Sequence, residues 1–409
     1  MGNEKTYDVL VIGGGIAGIA AALESARSGL ATALVEKTIL WGGLATSGLV
    51  PVYMPLCDGQ GRQVTFGIAE ELLEWSIKYG PGHIPAGWLD GTQEEYDTRY
   101  KNLYVQGKLD IRYATIFSPV AFAWGLDEVL YGTGVELWLD TLACQPMMVG
   151  NRVTGVEVEN KSGRIAIQAA CVVDASGDAD IAYRAGAPCE EQESFPSYLG
   201  QYTSLALARE AVADNSAERL VTYHNAGANE FGQGYPEGAR KYAATSGKDV
   251  TQFIMESRKI ARQKMAAQQT AGGDTSRENL YPATLPTMAQ FRMTRRIAGH
   301  ETVYAKQRNQ YCESSIGIIA DCRQTDAVWE VPYGSLVPQK IENLLVVGRC
   351  TSAEGYAWQV TRLIPAAALS GQIAGIAAGL SIRAQTSPDR LGVRDIQKAA
   401  QDKGFVLHI

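Results

Sequence analysis

One glycine-rich turn between two apolar strands constrains this chain more than any other feature. Tyr7 to Ile12 predicts a short buried strand. It runs into Gly13-Gly14-Gly15-Ile16-Ala17-Gly18, then into a small-residue helix through Ala26. A second strand, Leu30 to Val35, ends on Glu36, with Lys37 next. G-x-G-x-x-G in that setting, with an acid closing the second strand, is a dinucleotide-binding arrangement. Gly13 lets the chain turn sharply. Gly15 has no side chain to hold a pyrophosphate off the backbone, and Gly18 lets the helix lie close on the sheet. The helix start, at Ile16 and Ala17, offers N–H donors and positive potential to phosphate. Glu36 can accept from both ribose hydroxyls and would repel a 2′-phosphate. The plainer alternative is a glycine turn with no ligand. The motif alone does not separate NAD from FAD.

At 409 residues the chain is long for one compact core, so two domains are expected. A formal net charge of −7 argues against nucleic acid or an anionic membrane as partner. Met1 to Thr6 is polar and the first apolar run is the motif strand, so no secretory leader is expected. Leu363 to Leu380 is apolar but carries Pro365, Ser370 and Gln372, and reads as a buried helix, not a membrane span. Seven scattered cysteines without C-x-x-C fit a reducing cytoplasm, and four scattered histidines give no metal signature.

Trp41-Gly42-Gly43-Leu44-Ala45-Thr46-Ser47-Gly48 is a glycine-rich loop long enough to lie along a cofactor; an ordinary surface loop is the alternative. Phe66 to Tyr79 predicts a helix, and Gly80 to Gly107 a turn-rich excursion. Ser118 and Pro119 suit the N-cap and first position of a helix running to Leu130. Val135–Ala143, Val153–Glu159 and Arg164–Ala169 predict a β-meander, and Cys171 to Asp174 a buried strand ending in Ala175-Ser176-Gly177-Asp178. From about Ala187 to Val328 the chain is more polar and helix-prone in pieces, notably Leu205–Ala213 and Thr251–Gln269. Leu344 to Arg349 returns to the buried-strand pattern, and Pro365 opens a long small-residue helix. The expected fold is α/β: a discontinuous Rossmann-like nucleotide domain (1–80, 115–186, 329–409) with an inserted meander, and a mixed substrate or cap domain (81–114, 187–328).

Three motifs beyond the first carry a resemblance. Val172-Val173-Asp174-Ala175-Ser176-Gly177-Asp178 resembles the strand and A-T-G-type turn that closes the FAD domain of large two-domain flavoproteins, with serine in place of threonine. Asn343 to Cys350 resembles their late strand beside the flavin. Arg362-Leu363-Ile364-Pro365, continuing through Gly371-Gln372-Ile373-Ala374-Gly375 to Gly379, resembles the C-terminal helix whose start faces the isoalloxazine. With Arg292 to Gly299, these are similar to the FAD-dependent oxidoreductase family related to fumarate reductase and succinate dehydrogenase flavoproteins. The resemblance implies FAD. It implies cofactor contacts at Gly13, Gly15, Ile16, Ala17, Gly18, Glu36, Lys37, Gly42, Gly43, Ala45, Thr46, Ala143, Ala175, Ser176, Gly177, Gly348, Arg349, Arg362, Leu363 and Ile364. It is thin over Ser194 to Gln290.

A helix start aimed at the flavin N1 and C2 carbonyl would stabilise negative charge on the reduced ring. The small residues after Pro365 would let backbone approach it; close core packing is the other reading. Arg362 could bind a substrate carboxylate or stabilise an alkoxide, or form a salt bridge to the cap. Arg292, Arg295 and Arg296, if helical, share a face at i, i+3 and i+4. They then meet an anionic substrate or form interdomain ion pairs. His300 could relay a proton, as could Tyr356, while Trp358 packs as a wall and Cys350 as a buried thiol. The expected activity is hydride transfer between a small polar substrate and flavin N5 in a cytoplasmic enzyme, with a homo-oligomer allowed for. No second G-x-G-x-x-G is present, so the electron donor or acceptor is open, and a flavoprotein component of a larger electron-transfer assembly is the alternative.

Overall fold

The computed structural model describes residues 5–60, 62–82, 115–229, 234–235 and 238–409. In chain order the principal elements are β1 (Lys5–Ile12), α1 (Ile16–Arg27), β2 (Thr32–Val35), α2 (Ile68–Ile77), α3 (Pro119–Tyr131), β3 (Glu136–Trp138), β4 (Leu142–Val149), β5 (Arg152–Asn160), β6 (Gly163–Asp174), β7 (Ser197–Ser204), β8 (Thr222–Gly227), α4 (Gly247–Thr270), β9 (Leu280–Thr284), β10 (Arg295–Ile297), β11 (Ser315–Ala320), β12 (Val328–Pro332), β13 (Leu344–Val346), α5 (Tyr356–Thr361) and α6 (Ile364–Arg383). They fall into two compact units. The larger is Met1–Gly42, Val52–Glu190 and Arg296–Ile409; the smaller is Gly43–Pro51 and Glu191–Arg295.

The larger unit is built on a sheet of order β3-β2-β1-β6-β5-β4, with β13 also paired to β6. β1, β2, β3, β6 and β13 run parallel, while β4, β5 and the first half of β6 form an antiparallel meander. The parallel strands are apolar on both faces, as burial under helices requires: Val9 to Ile12, Ala33 to Val35 and Leu344 to Val346 are all buried. Their register matters most for function. Ile12 lies opposite both Val35 and Asp174, and Val346 opposite Asp174, so the carboxyl ends of four strands share one edge. Backbone bonds continue past it: Gly13 N–H donates to Val35 O, Ala175 N–H to Ile12 O and Val347 N–H to Asp174 O.

The meander differs from expectation. Val135–Ala143 is two strands, because Asp140 takes a left-handed conformation (φ 50°) and breaks the run between β3 and β4. Conversely, Arg164–Ala169 and Cys171–Asp174 are one continuous strand, β6, whose halves have different partners. The helix at Pro119 starts as expected, with Ser118 Oγ accepting from Ala121 N–H. α6 begins one residue before Pro365. It is long and apolar enough to cross a membrane, yet 89% of its apolar window is buried, against α1 among other elements. It is a core helix.

The unit boundaries also differ from those expected. Residues 296–328, assigned to the cap, belong to the larger unit. The reason is β11, buried throughout, where Gly317 leaves room for Leu369 of α6. Gly43–Pro51 belongs instead to the smaller unit. From residue 83 the expected excursion over 81–114 lies outside the described residues.

In the smaller unit β7 is the centre of a three-stranded antiparallel sheet, β8-β7-β9. α4 is capped by Ser246, whose Oγ accepts from Asp249 N–H. Gln290 ties the Gly43–Pro51 loop in. Its Nε2 donates to Gly48 O (2.6 Å) and Leu199 O (2.9 Å), and its Oε1 accepts from Leu199 N–H.

Candidate functional site

The larger unit gathers most of the expected cofactor residues at the carboxyl edge of its parallel strands, where open α/β sheets bind ligands. The three motif glycines do three different things there. Gly13 has φ 105°, and a Cβ on it would overlap the Ala175 carbonyl. A Cβ on Gly18 would overlap the Gly13 carbonyl, so α1 lies against the turn that starts it. A Cβ on Gly15 would meet no atom within 4 Å. Its missing side chain therefore serves nothing in the packing of the described residues; the space lies at the N-cap of α1, and a helix N-terminus is a ready-made anion site.

Glu36 is buried, and its carboxylate bridges the turn: Oε2 accepts from Gly14 N–H at 2.7 Å and Oε1 from Thr38 N–H at 2.8 Å. Each carboxylate oxygen has a further lone pair for a ribose hydroxyl. Trp41, unremarked in the sequence, packs on Gly14, and Gly42 donates to Gly14 O at 2.7 Å. Lys37 is exposed. Gly43, Ala45 and Thr46 lie in the smaller unit, in a buried 3-10 turn with Thr46 N–H donating to Gly43 O.

Asp174 explains the second turn. It is fully buried, with Oδ1 accepting from Ser176 N–H and Oδ2 from the N–H groups of Ile181 and Ala182. Burial pushes its pKa up and those donors pull it back. Ser176 Oγ in turn accepts from Asp180 N–H, so the hydroxyl that serine keeps is used in the turn. Arg349 braces this turn, donating to Gly177 O and Asp178 Oδ1, each at 2.8 Å. Ala143, on β4, accepts from Arg184 through its carbonyl. Asp174→Ala would leave two buried N–H groups and one half-buried N–H group without their acceptor and is expected to cost about 2 kcal/mol in a denaturant titration.

Gly348 joins the two helix starts. A Cβ on it would sit 2.9 Å from Ala17 Cβ, and its N–H donates to Ser370 Oγ of α6 at 3.0 Å. α6 opens at Leu363 with no side-chain cap and no acid in its first turn, and the same is true of α1 at Gly15. Among the described residues neither helix start has a side-chain cap of its own, although the Glu36 carboxylate accepts from Gly14 N–H just before α1. The small residues of α6 are used against α1, not left open: a Cβ on Gly371 would overlap the Ala17 carbonyl, and one on Gly375 would lie 2.6 Å from Glu24 Cβ.

Of the expected catalytic residues, Arg362 closes α5 and is held by Gln359, whose Oε1 accepts from Nε (3.0 Å) and Nη2 (2.8 Å). Tyr356 Oη donates to Asp321 Oδ2 at 2.6 Å, and Asp321 is fully buried. Burial and that bond raise the phenol's pKa, so Tyr356 keeps its proton. The arginine cluster is corrected: Arg295 and Arg296 lie on a strand, β10, not a helix, so adjacent side chains diverge. Arg295 pairs with Glu191 at 3.0 Å and Arg296 with Glu190 at 2.6 Å, each pair internal to one unit. The Arg296 guanidinium also stands 5.7 Å over the Trp358 ring, and Trp358 Nε1 donates to Arg349 O. His300 is exposed. Cys350 is fully buried, and burial pushes its thiol well above the usual range, consistent with packing.

The sequence matches the profile of the family described as FAD dependent oxidoreductase over residues 8–312 and 317–399. Among curated proteins, it is 32% identical over 156 residues to a thioredoxin reductase of Bacillus subtilis, covering 33% of this chain and 49% of that protein. It is 28% identical over 176 residues to a digeranylgeranylglycerophospholipid reductase of Picrophilus torridus, covering 42% of this chain and 40% of that one. The chain thus spans half or less of the length of these relatives. A geranylgeranyl bacteriochlorophyll reductase-like protein of Thermoplasma acidophilum superimposes with a TM-score of 0.46 at 13% identity, covering 98% of this chain and 84% of the other.

Proposed function

Because this chain belongs to the FAD dependent oxidoreductase family, we propose that it moves a hydride between a small polar organic substrate and N5 of its FAD, in the reducing cytoplasm. The carrying observation is the pair of uncapped helix starts, at Gly15 and Leu363, with open space where a Gly15 side chain would be. Neither helix carries a side-chain cap or an acid in its first turn, which suits a ligand bearing phosphate at one end and a charge-accepting ring at the other.

When bound, FAD supplies the two-electron acceptor or donor. In this reading Gly13, Gly15 and the N–H groups of Ile16, Ala17 and Gly18 hold the pyrophosphate, and Glu36 the ribose. Ala175, Ser176, Gly177 and Gly348 line the path beyond, with Arg349 bracing it. Leu363 and Ile364 present the second helix start to the ring. Arg362, aimed by Gln359, fixes the substrate's anionic group or stabilises charge as the hydride leaves. Tyr356 holds its proton on Oη against Asp321, and so acts as an orienting group.

The first test is an absorption spectrum of the purified protein and of the flavin released on denaturation. A colourless protein that takes up no FAD on reconstitution would overturn the reading. Given FAD, anaerobic bleaching across hydroxy acids, sugars and amines finds the substrate class. Arg362→Ala should then slow flavin reduction about a hundredfold while leaving FAD affinity nearly unchanged; equal losses in both make Arg362 structural. Bleaching only by an added protein partner, with none of the small molecules active, would favour a component of a larger electron-transfer assembly.

A further inference from the structure

The smaller unit contains a shallow groove lined by Tyr198 at the start of β7, by Phe253, Ser257 and Arg258 of α4, and by Met288 and Gln290. Two of its polar groups are uncommitted. Ser257 is 4% exposed and its Oγ has no hydrogen-bond partner. Arg258 is half-buried and forms no ion pair or hydrogen bond among the described residues. Several nearby basic residues are engaged, Lys259 with Glu256, Arg240 with Asp249 and Lys264 with Asn225 O, while Arg262, one turn on, is exposed to solvent outside the groove. The other wall is apolar, with Phe253 stacked on Phe291 at 3.8 Å and Tyr198 largely buried.

A buried hydroxyl without a partner costs stability and persists where something else satisfies it. A guanidinium with no ion pair among the described residues, at the edge of an apolar wall, selects an anion whose remainder is apolar. One cation and one hydroxyl match a monoanion better than a phosphate, and the apolar wall beside them suits one ring or a short branched chain laid along the open groove. We propose that this groove binds a small monocarboxylate with an aromatic or branched apolar body. The carboxylate lies against Arg258 and Ser257, and the body against Phe253, Tyr198 and Met288. The site lies wholly within the smaller unit, so its test stands apart from the flavin reading.

The probe is 3-phenylpropionate, titrated into the full-length protein by calorimetry, with 3-phenylpropionamide as its neutral counterpart. The acid should bind and the amide should not. Arg258→Gln should weaken binding about tenfold or more. Ser257→Ala should weaken it a few-fold with the melting temperature unchanged or raised, because that hydroxyl has no partner in the protein; this variant decides the matter if the first misfolds. Flavin content and the flavin spectrum should not move. Equal binding of acid and amide, no binding up to about 10 mM, binding unchanged in Ser257→Ala or in a folded Arg258→Gln, or a probe that perturbs the flavin spectrum would each overturn the proposal.

Discussion

Gly15→Val yields a folded, colourless protein. The backbone at Gly15 has φ −74° and ψ 177°, which valine adopts without strain, and the added Cβ has no neighbour within 4 Å. The apo protein should therefore melt near the parent. The new methyl groups occupy the N-cap of α1, where the pyrophosphate needs direct contact with backbone N–H groups. Displacing it costs FAD affinity about a hundredfold or more, close to 3 kcal/mol. Flavin absorbance after purification, a titration of apo protein with FAD and the apo melting temperature check this together. Retained stoichiometric FAD would sink the assignment of that space. Gly18→Val, three residues on in the same motif, should fail differently. Its Cβ overlaps the Gly13 carbonyl, so the protein loses its fold before its cofactor. An activity assay alone would not separate the two.

This contrast shows where the sequence was readable. The roles of Gly13, Gly15 and Gly18 follow from a local backbone path, and a strand–turn–helix of this pattern has few other ways to fold. Asp174 and its small-residue turn were readable for the same reason, since the N–H groups that donate to the acid lie within eight residues. Arg295 and Arg296 were not. Spacing of i, i+3 and i+4 among three charges fits a helix, but their neutralising acids, Glu190 and Glu191, lie about a hundred residues earlier and come with a strand. The place of the loop after Glu36 was hidden on similar grounds: Gln290, 242 residues from Gly48, holds Gly48 in the smaller unit. Long-range side-chain partners leave no periodic trace in the chain, and the Asp321 carboxylate that fixes the Tyr356 proton left none either.

The small residues of α6 were readable as a close approach but not as an approach to a particular surface, and this sets the largest expected stability effects. Gly371→Val places Cβ on the Ala17 carbonyl, backbone against backbone, where no rotamer change relieves the overlap. α1 and α6 would have to separate. That disturbs a buried polar set in which Gln372 Nε2 donates to Glu24 Oε2 (2.9 Å), Lys403 pairs with Glu24 Oε1 (2.9 Å) and Gln372 Oε1 accepts from Ile68 N–H. Overpacking of this kind costs about 3 kcal/mol, and an unpaired buried Glu24 adds to it. Set against a total stability of about 5–15 kcal/mol, the variant should be insoluble or melt far below the parent even with excess FAD. Gly379, two turns on, is the control. The nearest atoms to a Cβ there belong to the Arg383 guanidinium, 3.3 Å away at the end of a flexible side chain. Gly379→Ala should therefore gain up to about 1 kcal/mol from helix propensity. Thermal melts of the two apo variants distinguish the explanations. If Gly371→Val melts like the parent when apo and loses only FAD, its glycine is reserved for the cofactor and not for α1.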